Sequence, residues 1–172
     1  KSAENLARSS LMVPQVTQFD LADITELEAF RLTQRDRFKA DGLSLTMTAL
    51  AAKTVAYLLR EMPQFNASLS RDGESLVLKQ YVNLGIAVDT PNGLMVPVLH
   101  NADRMSLREI AEQLGVLAEQ ARSGKLPPAA MQGASFTISS LGGIGGTAFT
   151  PLVNWPEVAI LGLSRASKAP VW

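Results

Sequence analysis

The chain runs to 172 residues, 47% hydrophobic and 19% charged, with 16 basic and 16 acidic side chains that cancel to a formal net charge of zero. That size and apolar content suit one domain with a substantial core, and the balanced charge gives no overall attraction to nucleic acid or to an anionic membrane. Cysteine is absent and histidine occurs once, at His100, which excludes disulfides, thiolate catalysis and a cysteine- or histidine-rich metal site.

Zero net charge with high apolar content fits a protein that hides surface against copies of itself, because net charge helps keep monomers soluble. No apolar run approaches the ~20 residues that span a bilayer, and residues 1–10 contain no signal-peptide core. A soluble, intracellular protein is expected.

In chain order, residues 12–20 alternate apolar and polar side chains and include Pro14, which predicts an edge strand. Thr25 and Glu28 have capping-box spacing for a helix running toward Asp41-Gly42, with Leu27, Phe30, Arg31 and Gln34 along one side. Residues 45–61 are apolar on nearly every side and stop before Pro63, which predicts a helix buried between other elements. Residues 65–69 and 75–78, joined through Asp72-Gly73, predict a hairpin. A stronger one follows, with residues 81–89 and 94–100 meeting at Pro91-Asn92-Gly93. Residues 106–122 predict an amphipathic helix opened by a Ser106 and Glu109 capping box and stopped by Gly124. Pro127-Pro128 predict a short turn or helix, and residues 158–163 a buried apolar strand. The sum is a mixed α/β chain without internal repeat or linker.

The chemistry concentrates in residues 134–154, ASFTISSLGGIGGTAFTPLVN. On a strand, Ser135, Thr137 and Ser139 share one face and Phe136, Ile138 and Ser140 the other. A turn with glycines at 142, 143, 145 and 146 follows. The polar row either faces a cleft or forms a solvated edge, and spacing alone favours the edge. The dinucleotide-like spacing of Gly143, Gly145 and Ala148 is set aside, because Pro151 and Pro156 forbid the helix that must follow. A nucleophilic serine needs a positioned base, so Ser139 fits a hydrogen-bond donor better. His100, at a strand end without an evident partner, is expected at the surface. Arg31 is expected to be a solvated helix residue unless an anionic ligand lies beside it, and Trp155 and Trp172 to be core or interface anchors.

Five segments, DITELEAFR (23–31), MPQFNASL (62–69), NLGIAVDTPNGLMVPV (83–98), MQGASFTISSLGGIGGTAFTPLVN (131–154) and PEVAILGLSRAS (156–167), resemble in order the catalytic domain of the dihydrolipoamide acyltransferases. These are the E2 components of 2-oxo acid dehydrogenase complexes, and the likeness is nearest to the acetyltransferases of pyruvate dehydrogenase. The resemblance implies an α/β fold like that of chloramphenicol acetyltransferase, a two-layer arrangement of mixed β-sheet and helices. It implies a homotrimer with a channel at each subunit boundary, a larger cage-like core, and E1 and E3 components as partners. Coenzyme A and a lipoyl group carried on a separate domain would be the reacting thiols, with no metal, in the bacterial cytoplasm or the mitochondrial matrix.

The same resemblance makes Ser139 the donor to the oxyanion of acyl transfer and places Arg31 near a phosphate of coenzyme A. The family's base is the histidine of a DHRxxxG motif. In relatives that motif follows the segment matching residues 168–172, so residues 1–172 are expected to form a single catalytic domain lacking the last strand, the motif and the closing helix. On their own they would lack the thiol base. Gln15 stands where many members have histidine. Two alternatives stay open: a catalytically silent core subunit of the same fold, and a free-standing small-molecule acetyltransferase.

Overall fold

The computed structural model describes residues 2–91 and 93–170; the expectations for Asn92 in the hairpin turn and for Trp172 as an anchor lie outside them. Among the described residues four α-helices, α1 (Ser2–Met12), α2 (Thr25–Ala40), α3 (Met47–Glu61) and α4 (Leu107–Arg122), accompany a four-stranded mixed sheet and two small hairpins. Among the described residues no helix is long and apolar enough to cross a membrane.

The hairpins are β1 (Ala67–Leu69) with β2 (Leu76–Leu78), and β4 (Val88–Thr90) with β5 (Gly93–Met95). The sheet takes β3 (Leu84–Ile86), β6 (Val98–Leu99), β7 (Phe136–Ser140) and β8 (Ile160–Leu163) in the order β6-β3-β7-β8. β3 runs antiparallel to β6 and parallel to β7, with Gly85 opposite Thr137, and β7 runs parallel to β8, with Ser139 opposite Gly162. Leu84, Ile86, Leu99, Phe136 and Ile138 point to one side and join Ala49, Leu50, Val55, Leu59 and Ile110 of α3 and α4 in one buried cluster. Side chains alternate along a strand, so Gly85, Thr137, Ser139 and Gly162 share the opposite face.

The second predicted hairpin is present but broken. Ala87 N donates to Ile138 O of β7 at 2.9 Å, and Ile86 N to Pro97 O at 2.9 Å. Pro97 has no N–H to continue the ladder, so β3 and β6 join the main sheet while β4 and β5 pair beyond it. Ser106 caps α4 with the full reciprocal box, and Gly124 follows its last turn at φ 69°.

Three expectations are corrected. Residues 12–20 form no strand: α1 ends at Met12 and residues 13–24 carry neither helix nor strand. Alternation stabilises a strand only where a sheet edge accepts it, and here Val16 and Leu21 stand in solvent at 96% and 97% exposure. The Thr25 and Glu28 capping box does not form, because Thr25 N donates to Asp23 Oδ1 at 2.9 Å and Glu28 turns to Arg31 instead. α3 is capped by Thr46 and buries one side only; Tyr57 and Leu58 face outward.

Candidate functional site

The polar row along β7 is no solvated edge. Ser135 is fully buried, and its Oγ accepts from Asn83 N at 3.0 Å and donates to Asn83 O at 3.1 Å. Asn83 in turn donates to Gly133 O and accepts from Asn101 N, so its amide ties the start of β7 to the end of β6. Thr137, 2% exposed, donates from Oγ1 to Glu157 Oε2 at 2.6 Å. Both hydroxyls hold structure together.

Ser139 differs from them. It is half-buried near the end of β7, and its hydroxyl has no hydrogen-bond partner among the described residues. The next hydroxyl, Ser140 Oγ, faces the glycine turn at 3.5 Å from Gly142 N. Gly162, opposite Ser139, lies under the segment from Phe149 to Pro151: a Cβ there would stand 3.0 Å from Phe149 Cζ and 3.2 Å from Pro151 Cγ. Residues 149–156 therefore form a strap across the face that Ser139 presents.

The strap is held at several points. Trp155 N donates to Ser9 Oγ at 2.9 Å, Val153 N donates to Gln15 Oε1 at 3.1 Å, and the Arg8 guanidinium lies 3.9 Å above the Trp155 ring. Trp155 is thus an anchor between α1 and the strap, and Gln15 pins the strap through its amide oxygen. Glu157 closes the arrangement. It is 3% exposed, accepts from Thr137 on one carboxylate oxygen and from Asn154 Nδ2 at 2.9 Å on the other, and burial pushes its pKa above the ordinary carboxylate value. Sequence reasoning missed Glu157; its only trace is a lone carboxylate before the apolar strand AILGL.

Arg31 lies elsewhere. Its Nε and NH2 donate to the two oxygens of Glu28 at 2.7 Å each, and NH1 donates to Leu45 O at 3.3 Å. At 23% exposure it is not the solvated helix residue expected, and its hydrogen bond holds the Glu28 carboxyl below its usual pKa. Three of its five N–H donors are used, which leaves two for a ligand. Among the described residues no hydrogen bond links it to β7.

His100 is exposed, as expected, and sits at the opposite end of β7 from Ser139. Its Cε1 is 3.7 Å from the Cβ position of Gly133. Gly133 and Ser139 are six residues apart, roughly 20 Å of extended chain. A cleft of about 100 Å³ opens near the end of α3, lined by Leu59, Arg60, Asn66, Lys79 and Val82, and it shares no residue with Ser139. It falls below the ~300–1,000 Å³ of pockets that enclose a whole ligand.

Residues 1–172 match the family described as 2-oxoacid dehydrogenases acyltransferase (catalytic domain). The chain is 60% identical over 170 residues to the dihydrolipoyllysine-residue acetyltransferase component of the pyruvate dehydrogenase complex of Azotobacter vinelandii, covering 99% of this chain and 27% of that protein. To the same component of Pseudomonas aeruginosa it is 55% identical over 170 residues, covering 99% and 31%. The chain thus spans less than a third of these relatives. A solved structure of the A. vinelandii dihydrolipoamide acetyltransferase superposes with a TM-score of 0.97 at 60% identity, over 99% of this chain and 70% of that one; it belongs to an investigation of one serine, one histidine and one asparagine in that enzyme's catalytic mechanism. The cubic core of the pyruvate dehydrogenase multienzyme complex superposes equally, with a TM-score of 0.97 and the same identity and coverage. With the sheet, the strap and the whole length of the chain in agreement, the protein belongs to the 2-oxoacid dehydrogenase acyltransferase family and has the α/β fold of its E2 catalytic cores.

Proposed function

We propose that this chain is the acetyl-transferring catalytic domain of a pyruvate dehydrogenase E2 component, moving an acetyl group between coenzyme A and a dihydrolipoyl arm. One observation carries the reading: of the three hydroxyls in the row along β7, Ser139 alone has no hydrogen-bond partner among the described residues, and it stands half-buried beside a covering strap. Attack of a thiol on a thioester passes through a tetrahedral oxyanion. A hydroxyl held on a rigid strand and aimed at that oxygen stabilises it by ~2.7–4 kcal/mol. Donation of a hydrogen bond needs no base beside the serine.

The attacking thiol does need one, worth ~10²–10⁴-fold. His100 lies at the wrong end of β7, so we assign the role to the histidine of the family's DHRxxxG motif, which is not among these 172 residues. Arg31, oriented by Glu28, offers its two remaining donors to a phosphate of coenzyme A. Assembly follows the relatives, with homotrimers building a cage-like core that meets the lipoyl domains and the E1 and E3 components.

The test is acetyl transfer from acetyl-coenzyme A to dihydrolipoamide by the purified polypeptide that carries these residues. Ser139→Ala should lower kcat by about 10²–10³ with assembly unchanged; an unaltered rate overturns the role. Normal assembly with no turnover in the unsubstituted protein would favour the silent core subunit, and a particle mass that stops at the trimer would favour the free-standing acetyltransferase.

A further inference from the structure

Glu157 is a buried carboxylate that the proposed chemistry leaves unused, and its surroundings point at Ser139. On β7 Thr137 and Ser139 are i and i+2, so their side chains project from the same face about 7 Å apart along the strand. Glu157 grips the first through Thr137 Oγ1. Its other oxygen and its own backbone N–H engage Asn154, through Nδ2 at 2.9 Å and the carbonyl O at 2.9 Å. One carboxylate therefore ties the Ser139 strand to the strap.

Packing alone does not call for a charge there. A buried carboxylate pays a desolvation penalty that an apolar side chain of similar volume avoids, and burial indeed raises the pKa of Glu157. Lys79 is near enough to interact electrostatically but forms no ion pair with it among the described residues. What the carboxylate adds over an apolar residue is direction: two fixed hydrogen bonds that set the distance between strap and strand. The strap in turn bounds the space in front of Ser139, because Phe149 and Pro151 rest on Gly162, the register partner of Ser139.

We propose that Glu157 is a positioning residue for the reaction: by bridging Thr137 and Asn154 it fixes the 149–156 strap against β7 and so sets where the Ser139 hydroxyl meets the reacting carbonyl. The proposal rests on the assignment of Ser139 as the oxyanion donor. Glu157 touches neither substrate nor reacting atoms.

A kinetic double-mutant cycle in the full polypeptide tests it. Glu157→Ala should lower kcat by about 10- to 100-fold, the range expected of a group misplaced by about an ångström, while KM for coenzyme A and the assembly state hold. In a Ser139→Ala background the same replacement should change kcat little, since the donor it positions is gone. Glu157→Gln should keep most of the activity, because its amide oxygen accepts from Asn154 and the Thr137 hydroxyl rotates to accept from its NH2. Equal fold-losses in both backgrounds, or an effect confined to stability and KM, overturn the positioning role while Ser139 keeps its own. No loss from Ser139→Ala sinks both together. Should Glu157→Ala fail to fold, Thr137→Val severs the same bridge with little change of shape, and the cycle run on it separates the same outcomes.

Discussion

Gly85 offers the sharpest test of how tightly the polar face of the sheet is built. It lies within β3, and a Cβ placed there would stand 2.8 Å from Thr137 Oγ1, 3.0 Å from Val96 Cγ1 and 3.4 Å from Ala134 Cβ. None of these can easily yield. Thr137 is β-branched and stiff about χ1, is 2% exposed, and is held at 2.6 Å by Glu157. Forcing a methyl into such a site costs about 1–3 kcal/mol. Making room by turning Thr137 away also strips a buried carboxylate oxygen of its donor, at a further ~1–3 kcal/mol. Against this, alanine recovers about 0.5–1 kcal/mol of the flexibility penalty of a strand glycine. Gly85→Ala should therefore destabilise by about 1–5 kcal/mol, seen in urea unfolding at fixed protein concentration as a lower midpoint with an unchanged slope. A loss under about 0.5 kcal/mol, the scatter of an ordinary surface change, would refute the close approach of β3 to Thr137.

Two further outcomes follow from the site. Arg31→Ala should raise KM for coenzyme A more than KM for dihydrolipoamide, and equal effects on the two would reject the phosphate contact. Glu157 supplies a pH dependence whose sign is fixed by its burial. Its folded pKa lies above the unfolded value of 4.5, so the native state holds the proton more tightly, and its contribution to stability falls as pH rises from about 4.5 through the folded pKa. The uncharged Glu157→Gln protein is spared that loss. Its unfolding free energy relative to the parent should rise between pH 4 and pH 7, and a pH-independent difference would show that Glu157 titrates in the folded protein as it does in the unfolded chain.

The elements legible in the sequence were those with local chemistry at both ends. α4 carries its own start in Ser106 and Glu109 and its own stop in Gly124, and the structure keeps all three. The hairpin of β4 with β5 was likewise signalled by the turn expected after Asp89, though its strands pair one residue further in, Thr90 with Gly93, than the expected bounds of 81–89 and 94–100. Residues 12–20 failed because alternation says nothing about whether a sheet edge is within reach. The polar row along β7 was half legible: its alternation was right, yet the solvated edge that spacing favoured was not. β7 lies between β3 and β8 with its polar face covered by the strap, and a pattern of hydroxyls looks the same over water as over hydroxyl-binding partners. The feature that singles out Ser139, a hydroxyl without a hydrogen-bond partner among the described residues, exists only in three dimensions. The strap's fastenings to Ser9, Gln15 and Glu157 span up to 146 residues of sequence, beyond the reach of any local pattern.

A crystal structure of the assembled polypeptide with acetyl-coenzyme A bound bears most closely on the role of Ser139. The thioester carbonyl oxygen should lie about 3 Å from Ser139 Oγ, within the reach of an oxyanion donor, with the strap closing over it. An acetyl group seated beyond hydrogen-bond reach of Ser139, or a Ser139 hydroxyl turned to bulk solvent with the thioester bound, would contradict that role.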